Sequence, residues 1–231
     1  MSTPISQQSI FVIIPAYNEE QVIRAVVEDF LAYKYSIVVV DDGSFKNVKS
    51  QLSGLPAYVL RHPVNLGQGA ALQTGIEFAL LKHADYIITF DADGQHDPKD
   101  ISKLLEVLIH ENTDIVLGSR FMKGAIHNMP AKRRFLLQIA RRLNFLFTGL
   151  MLTDAHNGLR AMTNKAAKTI HFRENGMAHA TEILSQIKKN KLHYAETPVT
   201  IRYSDYSKKK GQKLSGGFRI IFDILLNKIF K

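Results

Sequence analysis

The stretch Thr89–Gln95, with the sequence TFDADGQ, places two carboxylates directly after an apolar run. Because side chains alternate along a strand, Asp91 and Asp93 are expected to point to the same side where the strand ends. Two carboxylates so close together repel each other unless a positive charge lies between them. Mg²⁺ prefers oxygen ligands and is commonly held by one or two carboxylates together with substrate phosphates. The stretch therefore predicts a metal site that holds a phosphorylated substrate.

Outward from this stretch, apolar segments of strand length alternate with helical patterns through the first half of the chain. Such alternation predicts an α/β fold whose mostly parallel central sheet is covered by helices on both faces. The predicted strands are Ile10–Pro15, Ser36–Asp41, Ala57–Arg61, Asp85–Asp91 and Asp114–Gly118. The predicted helices are Glu19–Tyr33, a short one after Ser44, Gly69–Lys82, and Pro98–His110 with Asp97 as its N-cap.

Polar clusters follow three of the predicted strands, at Pro15–Glu19, Asp41–Ser44 and Asp91–Asp93. Ligands of open parallel sheets bind at the carboxyl ends of the strands, so the three clusters are expected to meet at one edge. The second cluster is either a turn or a carboxylate pair that accepts hydrogen bonds from a base or ribose. The glycine-rich segment Asn65–Gly69 either lets the backbone approach a phosphate or packs its helix tightly. It matches neither a P-loop nor a dinucleotide-binding fingerprint, which argues against an NTPase and an NAD enzyme.

Composition limits the class of protein. The chain has 231 residues, enough for one large α/β domain, and no cysteine, which excludes a disulfide framework. Its start has no signal-peptide pattern, and no stretch reaches the roughly 20 apolar residues that span a bilayer. Positive charge is concentrated in two segments, Arg120–Arg142 and Tyr206–Lys231, which predicts anionic partners. A solvated basic face is the simpler alternative for each segment.

Five segments in order resemble the family-two glycosyltransferases, and most of all the dolichyl- or polyprenyl-phosphate sugar transferases. The resemblance is strong from about Ile10 to Arg120 and looser beyond. The five segments are Val12–Glu19, Val40–Ser44, Asn65–Gly69, Asp91–Pro98 and Gly118–Arg120.

The resemblance implies a GT-A fold, a UDP- or GDP-sugar donor, Mg²⁺ or Mn²⁺, and inversion at the anomeric carbon. Asp91 and Asp93 would hold the metal against the diphosphate, with Gln95 beside them. A metal there would stabilise the charge of the leaving nucleoside diphosphate as a Lewis acid. The expected nucleotide-binding residues are Pro15, Tyr17, Glu19, Asp41, Asp42 and Gly69.

The second half of the chain is expected to supply the acceptor site. Thr153–Arg160 resembles the family's Asp-x-x-x-Gly-Phe-Arg segment, with Leu159 in place of Phe, which would put Asp154 near the acceptor. A capping turn with a structural arginine is the alternative reading. Glu182 is a second candidate near the reaction centre. Transfer to a hydroxyl needs a general base such as Asp154 or Glu182, whereas a phosphate acceptor is already anionic. The residues expected at the acceptor phosphate are Arg120, Arg133, Arg160, Arg202 and Lys208.

Two basic, apolar segments, Lys132–Leu152 and Ser215–Lys231, read as amphipathic helices, which can lie in a membrane interface or cover the core or a dimer partner. The loop after Arg202 resembles an acceptor-phosphate loop but departs from the usual Gly-x-Ser-Lys order. His96 and His179 are expected to have structural or loop roles. We predict a catalytic domain over 1–205, with a nucleotide-sugar half at 1–120 and an acceptor half at 121–205, followed by a basic loop and helix at 206–231.

These features favour an enzyme that transfers a sugar to a polyprenyl phosphate. The expected location is the cytoplasm, peripheral to the inner face of the membrane, with a homodimer or a membrane subunit left open as partner. A glycosyltransferase that extends a polysaccharide or glycolipid is the first alternative. A non-catalytic protein that binds nucleotide or nucleic acid is the second, disfavoured by the intact Asp91, Asp93 and Gln95. No nucleic-acid partner is expected, since a basic sheet face with interleaved aromatic residues is missing from the pattern.

Overall fold

The computed structural model of the chain describes residues 8–129, 131–176 and 178–203. The strands are β1 (Ile10–Ala16), β2 (Ser36–Asp41), β3 (Ala57–Arg61), β4 (Tyr86–Thr89), β5 (Ile115–Ser119), β6 (Ile126–His127), β7 (Arg160–Thr163), β8 (Tyr194–Pro198) and β9 (Thr200–Ile201). The helices are α1 (Ile23–Glu28), α2 (Val48–Gln51), α3 (Gln68–Leu81), α4 (Asp100–His110), α5 (Ala131–Thr148), α6 (Asn164–Thr169) and α7 (His179–Lys189). The predicted segment 206–231 lies outside the described residues.

Seven strands form one sheet in the order β3-β2-β1-β4-β7-β5-β8, and β6 pairs with β9 beside it. The strands β3, β2, β1 and β4 run parallel, as do β5 and β8, while β7 is antiparallel to both of its neighbours. Because β7 comes from the second half of the chain and lies between β4 and β5, the two predicted halves share one sheet.

The central strands are apolar on both faces because helices cover both faces. Along β1, Val12 and Ile14 pack into one hydrophobic cluster, and Phe11 and Ile13 pack into the other. All four side chains are buried. This is the pattern expected of a parallel strand covered on both sides, and it explains the unbroken apolar run in the sequence.

The predicted helix Glu19–Tyr33 is wrong at both ends. Helix α1 covers only Ile23–Glu28, and turns replace helix on either side. After the helix, the backbone N–H groups of Phe30 and Leu31 bond to carbonyls three residues back, which is the tighter geometry common at helix ends. Asp97 also lies farther from α4 than predicted, and its carboxylate accepts from the backbone N–H of Lys99 in the preceding turn.

Strands β7 and β8 were not predicted. Arg160 begins β7, whose four residues pair with β4 on one side and β5 on the other. The strand is therefore defined by its neighbours in the sheet.

In the described part of the chain, no helix combines the length and apolar character needed to cross a membrane.

The fold brings the three predicted polar clusters together. Parallel strands β1, β2 and β4 end at the same edge of the sheet, and each is followed by one cluster. Segments from the second half of the chain close this edge from the other side. Residues of all three clusters line one cavity at this edge.

Candidate active site

A cavity of about 620 Å³ lies at the carboxyl edge of the sheet. Residues from all three polar clusters line it, together with residues from the loop before β7. The predicted site residues on its wall are Pro15, Tyr17, Glu19, Asp42, Asp91, Asp93, Gln95 and Arg120.

Asp91 is held in place by two side chains. Gln68 donates from Nε2 to Asp91 Oδ1 at 3.1 Å, and His96 Nε2 lies 3.1 Å from Asp91 Oδ2. Burial by itself raises the pKa of Asp91, but the hydrogen bond with His96 and the charge of Arg160 outweigh burial and lower it. Asp91 is therefore an ionised carboxylate. His96 has a direct contact with the site, beyond the loop role predicted for it.

Asp93 has the opposite electrostatic environment. Burial, followed by the negative charge of Asp91, raises the pKa of Asp93 to about 6. Gln95 binds the Asp93 carboxylate twice, with its backbone N–H at 3.1 Å and with its side-chain amide. Repulsion between the two carboxylates is therefore the second cause of the raised pKa, after burial. A cation between them would remove that repulsion.

The donor set fits a hard divalent cation. Two carboxylates on one cavity wall suit Mg²⁺ or Mn²⁺ that is also bound by phosphate oxygens. Within residues 8–129, 131–176 and 178–203, no three acidic, histidine or cysteine side chains are grouped to hold an ion. Asp91 and Asp93 both line the cavity and would hold the ion together with the phosphate oxygens of a substrate.

Gly158 packs against Asp91 so closely that it leaves no room for a side chain. A Cβ atom at this position would lie less than 3.0 Å from both carboxylate oxygens of Asp91, which is closer than Cβ atoms come to other atoms in real structures. The Gly158 carbonyl in turn accepts from Thr89 Oγ1 at 2.6 Å. The loop before β7 therefore supports the Asp91 carboxylate from behind.

We expect Gly158→Ala to displace Asp91 and to weaken metal-dependent nucleotide binding, with a loss of turnover of roughly 100-fold. Calorimetric titration with UDP and Mn²⁺, paired with thermal unfolding, measures both the binding and the integrity of the fold. Gly176→Ala is the matched control, because Gly176 lines the same cavity and a Cβ there meets nothing within 4 Å. Equal nucleotide affinity in the two variants would contradict this role of Gly158.

Asp42 organises the glycine-rich segment. Its carboxylate accepts from the backbone N–H groups of Leu66 at 2.9 Å and Gly67 at 2.7 Å, and from the Asn65 amide at 3.0 Å. His62 Nδ1 lies 2.7 Å from Asp42 Oδ1. Asp42 lines the cavity, and it also fixes the course of the loop that forms the cavity wall beside it.

Asp41 and Gly69 do not line the cavity, in contrast to their predicted nucleotide contacts. Asp41 is fully buried, accepts from the backbone N–H of Ser44 and pairs with Arg61 at 3.1 Å. Gly69 donates its N–H to the Asn175 carbonyl at 2.8 Å, and a Cβ would collide with the Glu174 carbonyl. Of the two readings of the glycine-rich segment, tight packing describes Gly69.

Arg120 and Asp154 form a buried ion pair. Arg120 donates from Nε at 2.6 Å and from Nη2 at 2.8 Å to the two carboxylate oxygens, and its backbone N–H donates at 3.0 Å. Burial opposes both charges, yet each charge stabilises the other, so the pKa of Asp154 is lowered and that of Arg120 is raised. Arg120 lines the cavity, whereas Asp154 does not. Asp154 therefore orients Arg120 and is poorly placed to take a proton from an acceptor.

Arg160 is buried and does not line the cavity. Burial lowers its pKa, while the charges of Asp91 and Asp154 raise it. Its Nη1 has no hydrogen-bond partner. Arg160 thus supplies positive charge beneath two site carboxylates, which agrees with the reading of a structural arginine better than with a direct phosphate ligand.

The remaining predicted residues lie apart from the cavity wall or outside the described residues. Glu182 is in the first turn of α7 and accepts from the backbone N–H groups of Arg173 and Glu174, so it holds a loop. The Arg202 guanidinium is largely exposed and pairs with Asp97 at 2.8 Å. Arg133 belongs to α5, but its side chain, like the whole of Lys208, lies outside the described residues.

Several residues at the site were not predicted from the sequence. Gln68 contacts Asp91, and His156 and Asn157 line the cavity between Asp154 and Gly158. Glu196 of β8 accepts from the backbone N–H groups of Thr153 and Asp154, which fixes the start of this loop. The resemblance of Thr153–Arg160 to a family segment marked the loop, but not which side chains face the cavity.

Comparison with known proteins agrees with this architecture. The profile of the family described as glycosyl transferase family 2 matches residues 11–170. The UDP-N-acetylglucosamine–dolichyl-phosphate N-acetylglucosaminyltransferase of Methanococcus voltae is 33% identical in an alignment that covers 98% of this chain and 99% of that protein. The dolichol-phosphate mannosyltransferase of Pyrococcus furiosus is 30% identical over 227 residues, which cover 93% of this chain and 63% of that protein.

Solved structures share the fold. Glucosyl-3-phosphoglycerate synthase from Mycobacterium tuberculosis, crystallised with Mn²⁺, UDP and glucosyl-3-phosphoglycerate, superposes with a TM-score of 0.70 at 18% identity. The match covers 96% of this chain and 80% of that one. The predicted family and fold are confirmed, and the chain belongs to glycosyl transferase family 2, a glycosyltransferase with the GT-A fold.

Proposed function

We propose that this chain transfers a sugar from a nucleoside diphosphate-sugar to a polyprenyl phosphate. The observation that carries the proposal is one cavity in which the carboxylate pair Asp91 and Asp93 shares the wall with the guanidinium of Arg120. The carboxylate pair can bind the donor diphosphate through a metal ion, and the guanidinium can bind an anionic acceptor. The relatives named for dolichyl-phosphate N-acetylglucosamine and dolichol-phosphate mannose transfer support this acceptor class.

On the donor side, Asp91 and Asp93 would hold Mg²⁺ or Mn²⁺, which when bound stabilises the charge of the departing nucleoside diphosphate. Gln95 and Gln68 keep the two carboxylates in place through their amides. Pro15, Tyr17, Glu19 and Asp42 line the part of the cavity assigned to the nucleoside. The Mn²⁺ and UDP in the structurally similar synthase support a divalent metal and a uridine nucleotide.

On the acceptor side, Arg120 is the residue best placed to bind the phosphate. An arginine has five N–H donors, and the bonds to Asp154 and Tyr203 use one on each guanidinium nitrogen. The second N–H on each terminal nitrogen is therefore not used by these bonds. A phosphate acceptor also needs no general base, which fits the engagement of Asp154 by Arg120 and of Glu182 by backbone N–H groups.

Helix α5 supports a position at a membrane surface. Its apolar side chains Phe135 and Leu146 are 63% and 71% exposed, whereas its polar residues Asn144 and Thr148 are buried. At these four positions, the exposure of apolar and polar side chains is the reverse of that in a helix that packs on a protein core. Arg142 is exposed on the same helix, and basic amphipathic helices of this kind bind anionic membrane interfaces.

We expect the double variant Phe135→Ser with Leu146→Ser to bind anionic lipid vesicles roughly tenfold more weakly, because each side chain contributes buried apolar area at the interface. Co-sedimentation with vesicles that contain phosphatidylglycerol measures this binding. Leu81→Ser is the control, since Leu81 is 77% exposed on α3. Unchanged sedimentation of the double variant would remove α5 from the membrane contact.

The experiment for the proposed function offers radiolabelled nucleotide sugars to the purified protein together with a prenyl phosphate and Mg²⁺ or Mn²⁺. Label that enters the organic phase supports the proposal. Label that enters only water-soluble glycan would favour the extension of a polysaccharide instead.

A further inference from the structure

Two polar side chains of the loop before β7, His156 and Asn157, line the cavity, and each has one buried nitrogen without a hydrogen-bond partner. Asn157 is 4% exposed, and its Nδ2 has no hydrogen-bond partner. His156 lines the same cavity, and its Nε2 is buried and likewise without a partner. Buried polar atoms nearly always have a hydrogen-bond partner, so two such atoms in one cavity point to a ligand.

The orientation of Asn157 follows from its own hydrogen bond. Its Oδ1 accepts from the backbone N–H of Leu159 at 2.9 Å, so the other end of the amide is the unpartnered N–H₂ group. The loop around it is pinned to the sheet. The Leu159 carbonyl accepts from the Gly118 N–H at 2.9 Å, and the Gly158 carbonyl accepts from Thr89 Oγ1. These hydrogen bonds hold the backbone of the loop that carries His156 and Asn157.

The loop lies next to the carboxylate assigned to the donor diphosphate. Gly158, which directly follows Asn157, packs against both carboxylate oxygens of Asp91. The sugar is attached to that diphosphate, so it must occupy the cavity close to this loop. The nucleoside end of the donor is assigned to the other wall, around Tyr17 and Asp42.

The chemistry of the two groups fits a neutral ligand. Burial lowers the pKa of the His156 imidazole to about 4, so at neutral pH it has one N–H and one lone pair. Asn157 offers an amide N–H. Sugar hydroxyl and acylamino groups donate and accept hydrogen bonds without charge, whereas the cavity already has Arg120 for an anion.

We infer that His156 and Asn157 recognise the transferred sugar, by hydrogen bonds to its hydroxyl or acylamino groups. This inference rests on the proposed function for the presence of a nucleotide-sugar donor in the cavity. It makes the two residues determinants of which sugar is transferred.

The test separates binding of the sugar from binding of the nucleotide. His156→Phe keeps an aromatic ring without a polar atom, and Asn157→Ser keeps an oxygen that can accept from the Leu159 N–H. Affinities for UDP and UDP-N-acetylglucosamine, and for GDP and GDP-mannose, are measured by calorimetry with Mn²⁺. His110→Phe and Asn190→Ser are the matched controls, both at exposed positions on helix ends.

We expect each cavity variant to bind the nucleotide sugar roughly tenfold more weakly and to bind the free nucleotide as the wild type does. The ratio of kcat/KM between N-acetylglucosamine and glucose donors should also change, which a purely structural role would not produce. Unchanged affinity for the nucleotide sugar, or an equal loss for the free nucleotide, would overturn the inference. The inference would also be overturned if the wild-type chain bound neither of the two nucleotide sugars nor their free nucleotides. A wild type that binds a nucleotide sugar but modifies no prenyl phosphate refutes the proposed acceptor alone, and the affinity comparison still decides the sugar contacts.

Discussion

Asp93→Asn is expected to abolish metal-dependent binding of the nucleoside diphosphate and to lower turnover about 1000-fold, which corresponds to about 4 kcal/mol. The reason is the charge. Asp91 and Asp93 share one pocket, where burial, and after it the negative charge of Asp91, raises the pKa of Asp93 to about 6. Removing one negative charge ends the repulsion between the two side chains. It also removes much of the attraction that the pocket exerts on a cation. The variant should therefore fold as well as the wild type while losing the metal.

The measurement is calorimetric titration of UDP with and without Mn²⁺, beside a thermal unfolding curve. Asp85→Asn is the matched control, because Asp85 lies just before the opposite end of β4 and its carboxylate accepts from the Ser9 N–H far from the cavity. If Asp93→Asn binds UDP with the same Mn²⁺-dependent affinity as the wild type, the Asp93 carboxylate does not hold the metal.

Asp154→Asn is expected to lower the free energy of unfolding by about 3 kcal/mol, because it leaves the Arg120 guanidinium buried without its counter-charge. The side chains of Arg120 and Asp154 are only 8% and 2% exposed. The variant should also raise the KM for the prenyl phosphate, since the arginine loses the partner that orients it. Chemical denaturation measures the first effect, and initial rates at varied acceptor concentration measure the second.

Glu28→Gln is the control for the ion pair, since it breaks the pair with Arg24 on α1, where both side chains are at least 43% exposed. Exposed pairs of this kind contribute about 0–1 kcal/mol, so the control should hardly change stability. A similar small effect of Asp154→Asn would mean that Arg120 does not depend on Asp154.

The sequence predicted the parts of the fold that rest on local pattern. Strand β2 was predicted with its correct bounds because Ile37–Val40 is a β-branched, buried run. The meeting of polar residues at one edge followed from parallel strands alone. Strand β7 was missed because Arg-Ala-Met-Thr has no strand pattern of its own, and its conformation depends on pairing with β4 and β5.

Most of the predicted site residues that directly follow strands line the cavity, whereas the contacts between side chains distant in the sequence were not predicted. Nothing near Asp154 in the sequence shows that it pairs with Arg120, 34 residues earlier. Glu182 illustrates a second limit, because an acid in the first turn of a helix suits both a reactive group and a group that binds backbone N–H. His156 and Asn157 became site candidates only when the structure showed their buried, unpartnered nitrogens.

Sugar transfer to a prenyl phosphate is tested most directly by the mass of that lipid after incubation with the protein, a nucleotide sugar and Mn²⁺. We expect a lipid heavier by one sugar residue, formed by the wild type and lost when a chelator removes the metal or when Asp93 is replaced by asparagine. An unmodified prenyl phosphate, recovered while the nucleotide sugar is consumed and a water-soluble glycan grows, would contradict this expectation.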